Sequence, residues 1–188
     1  MLPSIIINFA IVLINIACIL FALTVMPAKK LFRYFTTLSN VLCALASLVT
    51  AIFALRGALP LWVVLFKYAG TAAVSVTLLT VFLFLGPVSG EWKKLLSGAD
   101  FFFHLLCPLL AIVSFCFFEK TRFAFGWTAL AVAPVVLYGA WYLYRVIYAR
   151  PEKQWEDFYG FNRGGKWPVS VALMLLGACV VAVVLWLV

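Results

Sequence analysis

Charge is what this chain has least of. Only 11% of its 188 residues are Asp, Glu, Lys or Arg, where soluble domains carry about a quarter. Fourteen of these are basic and six acidic, and a single histidine, His104, is the one side chain that ordinarily titrates near neutrality. One histidine excludes a multi-histidine metal or haem centre. The chain also lacks a P-loop, a GxGxxG turn and any Asn-x-Ser/Thr sequon, so those motif-borne functions are excluded. The five cysteines (Cys18, Cys43, Cys107, Cys116 and Cys179) all fall inside apolar runs without metal-ligand spacing. They read as small buried residues, and support neither a disulfide framework nor a zinc site. No cofactor and no metal is expected. A net charge of +8 carried by short loops beside apolar runs points to anionic lipid headgroups and away from nucleic acid.

What the chain has in excess is apolar surface. Hydrophobic residues make up 67% of it and the mean hydropathy is +1.17. The expectation is an all-α integral membrane bundle, one domain over residues 1–188, with no room for a soluble unit and no internal repeat. Six spans of about 20 residues each can be counted, near Ser4–Met26, Thr37–Leu55, Leu61–Leu85, Asp100–Phe118, Phe125–Ala149 and Val169–Val188. The first has no basic leader and is long enough to cross, so it reads as a span and not as a cleavable signal. Pro27, Gly57/Pro60, Gly86/Pro87, Gly126 and Pro151/Pro168 punctuate the runs as breakers. The first, third and fifth loops hold Lys29, Lys30, Arg33, Lys93, Lys94, Arg150, Lys153, Arg163 and Lys166, against Arg56, Lys120 and Arg122 on the other side. That excess places the odd loops in the cytoplasm.

Polar residues gather near this basic face. Arg33-Tyr34-Phe35-Thr36-Thr37-Leu38-Ser39-Asn40 opens span two, and Thr36 and Asn40 share one helix face. His104 enters span four from the same side, about 6 Å deeper by helical rise. Each group has two readings. Thr36 or Thr37 is a nucleophile awaiting a base, or caps a helix. His104 is that base, since ionisable groups inside spans are functional by default. Asp100, four residues earlier, orients the imidazole or caps its helix; Asp157 is a second acid or pairs with Arg163. Asn40 and Ser39 support an oxyanion or bond between helices. Arg145 holds a carboxylate or snorkels to headgroups, and Lys67 is expected to snorkel. Tyr138, Tyr142 and Arg145 follow one helix face. The long loop from Arg150 to Trp167, with Trp155 and Tyr159, suits an interfacial lid.

The Arg33–Asn40 run, together with His104-Leu105-Leu106-Cys107-Pro108 in span four, resembles the androgen-induced / androgen-dependent membrane protein family and its bacterial six-span relatives. The resemblance implies a multi-pass hydrolase that cleaves fatty-acid esters of hydroxy fatty acids with a threonine and a histidine. It places the nucleophile at Thr36, after the basic-aromatic-hydrophobic run, with Thr37 one register away, and the base at His104. Membrane lipids and an acyl-ester substrate are the partners it implies, and the bacterial inner membrane the location. The competing class is a non-enzymatic lipid or small-solute carrier. Transporters set their polar groups at the bilayer midplane and are built from repeats, and here the polar groups lie near one face.

Overall fold

Apolar runs of this length satisfy their backbone within a bilayer only as helices, and helices are what the chain forms. A computed structural model describes all 188 residues, with no β-strand among them. Six helices are long and apolar enough to cross a membrane: α1 (Leu2–Val25), α2 (Phe35–Leu55), α3 (Leu61–Ser89), α4 (Gly98–Glu119), α5 (Phe125–Tyr148) and α6 (Trp167–Leu187). The protein is a multi-pass membrane protein. Short helical turns, Ala28–Leu31 and Trp92–Leu95, lie in two of the connections.

Proline sets several boundaries as its missing N–H requires. Pro60 precedes α3, and Pro3 and Pro168 occupy the first turns of α1 and α6. Gly86-Pro87 does not end α3 as the sequence suggested: the helix continues to Ser89. A wider π turn over Val81–Leu85 precedes the pair, and the Gly86 N–H reaches back to the Val81 carbonyl. The widened turn relieves the clash that the Pro87 ring would make with the preceding turn. Gly86 is needed for another reason, because a Cβ there would lie 2.2 Å from the Trp92 ring folded against it.

The same device recurs in α4. A π turn over Phe102–Leu106 stands directly before Cys107-Pro108, and it contains His104. Pro108 has no N–H for the His104 carbonyl, so the backbone opens there.

The central helix is α3, in contact with α2, α4, α5 and α6, while α1 packs on α2 and α4. Small residues set the α2–α3 spacing, since a Cβ on Gly70 would be 3.1 Å from the Cys43 Cα. The larger core joins α3, α5 and α6 through Val64, Tyr68, Val76, Val135, Val181 and Leu185. Tyr68 donates to the Ala182 carbonyl at 2.6 Å, fastening one end of α3 to α6. Toward the other end of the bundle α3 and α6 part. Large side chains such as Leu13, Leu20, Leu83 and Leu173 face outward, as lipid contact requires.

Three expectations need correction. Lys67 does not snorkel: it is fully buried, with hydrogen bonds to Asn8 and Ser47. Span four does not stop at Phe118: α4 runs on to Glu119, which is buried. Cys179 is exposed on the outer surface of α6, and Cys116 is only partly buried.

Candidate functional site

Where α3 and α6 part, they enclose a cavity of about 380 Å³. Its walls are α3 from Val76 to Leu85, α5 from Val135 to Tyr142 and α6 from Ser170 to Gly177, with Phe35 and Thr36 from the start of α2 and Tyr159 and Phe161 from the long loop. Fourteen of the twenty lining residues are hydrophobic, so the cavity is predominantly apolar. Leu83 and Leu173 line it while 73% and 63% exposed, so the cavity opens sideways onto the lipid-facing surface. Its hydroxyls come from Thr36, Thr77, Thr80, Ser170 and the tyrosines Tyr138, Tyr142 and Tyr159.

The start of α2 explains why Thr36 faces this space. The residue before the helix is Tyr34, in extended conformation, and no side chain caps the helix. Neither threonine is therefore an N-cap. Thr37 is buried among helices, whereas Thr36, one residue earlier, lines the cavity. The lid loop holds this turn in place. Phe35 N–H donates to the Tyr159 hydroxyl at 2.9 Å, Thr36 lies beside the same hydroxyl, and Tyr138 donates to the Arg33 carbonyl at 2.8 Å. Burial raises the Tyr159 hydroxyl above the ordinary tyrosine range, so it stays a neutral donor.

Asn40 and Ser39 turn toward the Thr36 carbonyl. Asn40 Nδ2 donates to it at 2.8 Å and to the Phe103 carbonyl of α4 at 3.1 Å, which uses both amide hydrogens. Ser39 Oγ bonds the Thr36 carbonyl at 3.1 Å and the Thr77 hydroxyl at 2.8 Å. Asn40 thus ties the turn carrying Thr36 to the residue preceding His104.

His104 is buried, and its Nδ1 lies 2.7 Å from the Leu95 carbonyl. A carbonyl only accepts, so Nδ1 carries a hydrogen, and in the neutral tautomer with that hydrogen the lone pair lies on Nε2. A backbone carbonyl therefore orients the imidazole. Asp100 is exposed, its carboxylate makes no hydrogen bond, and it is not the cap of its helix, a position held by Ser97. His104 does not line the cavity, and no hydrogen bond joins it to Thr36.

Asp157 accepts from the Tyr142 hydroxyl at 2.8 Å and from the backbone N–H groups of Phe161 and Asn162 at 2.8 and 2.7 Å. It pins this loop to α5 and reaches neither His104 nor Arg163. Arg145 lies over the rings of Trp141 and Trp155, 5.6 and 5.0 Å from their centres, and Arg33 lies 5.4 Å from the same Trp155 ring. Neither guanidinium has a carboxylate partner, and the Arg145 Nε is buried without an acceptor. No group of three His, Cys, Asp or Glu side chains lies close enough to hold a metal ion.

Tyr159 is the contributor that spacing alone did not single out. It sits in an irregular loop where no periodicity points inward, and the only signal was that loop's density of aromatics around Asp157. No family model, curated protein or solved structure matches the chain.

Proposed function

We propose that this protein is an intramembrane hydrolase of acyl-ester lipids, with Thr36 as nucleophile and His104 as base. The observation that carries the reading is the position of Thr36: a hydroxyl on the wall of an apolar cavity that opens to the bilayer. The acyl chain lies between α3, α5 and α6, with its ester at the hydroxyl-lined end. His104 Nε2 takes the Thr36 proton, Thr36 Oγ1 attacks the ester carbonyl, and the alcohol leaves with the proton from the imidazolium. A water deprotonated by His104 then releases the fatty acid and restores Thr36. The Tyr159 hydroxyl, which accepts from Phe35 and keeps its own hydrogen to give, stabilises the oxyanion. Arg145 and Arg33 hold a free carboxylate where the substrate has one, and the Trp155–Tyr159 segment closes over it. The reading requires Thr36 and His104 to approach when substrate binds, since catalytic hydrogen bonds often tighten only in the complex. The excess of Lys and Arg in the odd loops supports a cytoplasmic position for this end, and the family resemblance supports a bacterial inner membrane.

A fluorophosphonate probe on the detergent-purified protein tests the proposal. Labelling of the wild type that disappears in Thr36→Ala and His104→Ala, and survives in Thr37→Ala, is the expected outcome. Survival in Thr36→Ala with loss in Thr37→Ala would sink the assignment.

A second reading, a non-enzymatic lipid carrier using the same cavity, is favoured by the missing Thr36–His104 hydrogen bond. It predicts no labelling and no ester turnover, but transfer of labelled lipid between vesicles.

A further inference from the structure

The half of the bundle formed by α1–α4 holds polar side chains that the cavity does not use. Near one end, Lys67 is fully buried. Its Nζ donates to Asn8 Oδ1 at 2.7 Å and Ser47 Oγ at 2.8 Å, and stands 3.9 Å from Glu119 Oε2. Glu119 Oε1 accepts from Ser4 at 2.8 Å, and also from Asn8 and Ser114. Four helices thus meet around one cation and one anion, both out of reach of water. A clamp needs no charges: replacing a buried ion pair by apolar side chains of similar volume is often neutral or stabilising. Ionisable groups kept inside a membrane mark ion pathways and proton relays.

A second observation points the same way. Five buried polar atoms in the molecule lack a hydrogen-bond partner, and four of them lie in this half: Glu119 Oε2, Thr71 Oγ1, Asn15 Oδ1 and Asn40 Oδ1. All four are oxygens able to accept, and each such orphan in a native interior calls for an explanation. They are spread along the bundle. On α1 the inward face reads Asn8, Ile11, Asn15; on α2 Ser47, Cys43, Asn40; on α4 Ser114, Ala111, Cys107 and then His104; on α3 Lys67, Thr71, Val74. Polar levels at both ends flank a single apolar layer of Ile11, Cys43, Val74 and Ala111.

We infer that the interior of α1–α4 is a proton pathway across the membrane, with the Glu119–Lys67 pair as one terminal station, His104 as the other and the Ile11–Val74 layer as its gate. A proton arriving from the near aqueous side binds Glu119 Oε2. Lys67 passes one of its own protons onward, becomes a neutral amine and takes the proton from Glu119, which restores the ion pair. Each transfer breaks one N–H or O–H bond and makes another, so no oxidant or reductant is needed. Water hydrogen-bonded to the Thr71, Asn15 and Asn40 oxygens carries the proton between stations when the gate opens. The other titratable or charged groups along the route are Lys120, next to Glu119 in the chain, the Cys43 thiol near Ser47 and Lys67, the Cys107 thiol at 3.4 Å from Asn15 Nδ2, the buried Cys18 thiol near Cys107 and Asp100, and Asp100 beside His104. The pathway lies outside the α3–α5–α6 cavity and shares only His104 and Asn40 with the proposed hydrolase, so proton uptake does not depend on ester hydrolysis there.

The test is acid uptake by proteoliposomes that contain the full chain and an internal pH-sensitive dye, driven by a valinomycin–potassium potential. Wild type is expected to acidify faster than protein-free vesicles. Glu119→Gln and Lys67→Met should lose most of that uptake, and Val74→Ala, which thins the gate, should increase it. The double variant Lys67→Met/Glu119→Leu checks the fold: it should elute as a single species with an undiminished thermal transition, yet conduct nothing. Wild-type uptake equal to that of empty vesicles would overturn the inference, and so would folded Glu119→Gln and Lys67→Met proteins that conduct like wild type. The cluster would then be a helix clamp only.

Discussion

At the scale of single residues, the site depends on hydroxyls whose partners are already assigned. Tyr159→Phe removes both the acceptor for Phe35 N–H and the proposed oxyanion donor. It should lower kcat on the order of 100-fold with little change in KM, as expected for a donor that works only in the transition state; steady-state ester kinetics read this directly. The raised Tyr159 hydroxyl also fixes the sign of an alkaline effect. The unfolded chain loses its tyrosine proton near pH ~10, before the folded protein does. The contribution of Tyr159 to stability is therefore complete below that pH and lost as pH climbs toward the folded value. Thermal transitions of wild type and Tyr159→Phe should diverge below pH ~10 and converge above it. Gly86→Ala drives a Cβ into the Trp92 ring. It should cost about 1–3 kcal/mol, read as a lower Tm in detergent, with Trp92→Ala restoring part of the loss.

At the scale of elements, proline placement decides where His104 points. Pro108 opens the π turn that carries the imidazole to the Leu95 carbonyl. Pro108→Ala returns an N–H to that turn and lets an ordinary α pattern form, shifting the preceding residues by about 100° around the helix axis. Ester turnover should fall on the order of 100-fold while the fold persists, the cost of misplacing a catalytic group. Unchanged turnover in a folded Pro108→Ala protein would show that the π turn does not position the base. The six spans were legible in the chain because each apolar run exceeds a bilayer's thickness and most breakers do break. Gly86-Pro87 was misleading, because the same dipeptide that ends a helix can be carried through one by a widened turn. The burial of Lys67 and Glu119 was not legible. Each sits near the end of its span, where snorkelling is the usual behaviour, and their partners lie on other helices, Ser4 being 115 residues from Glu119. Thr36 and His104 could be picked out as rare polar groups in apolar runs. Their mutual geometry could not, because it depends on Asn40 and on a loop more than a hundred residues downstream.

At the scale of the whole molecule, two half-bundles share α3: a polar interior among α1–α4 and an apolar chamber between α3, α5 and α6. The chamber can be filled without disturbing the fold. Gly177 lines it, and a Cβ there meets nothing within 4 Å. Gly177→Leu should leave Tm unchanged or slightly raised, yet abolish lipid binding measured by native mass spectrometry. The parting of α3 and α6 also decides which concentration would govern binding of the proposed ligand. Leu83 and Leu173 stand at an opening on the lipid-facing surface, so under the proposed function occupancy should follow the mole fraction of ligand in the bilayer. Diluting the ligand with inert phospholipid at constant bulk concentration should empty the chamber, whereas adding buffer to the same vesicles should change nothing.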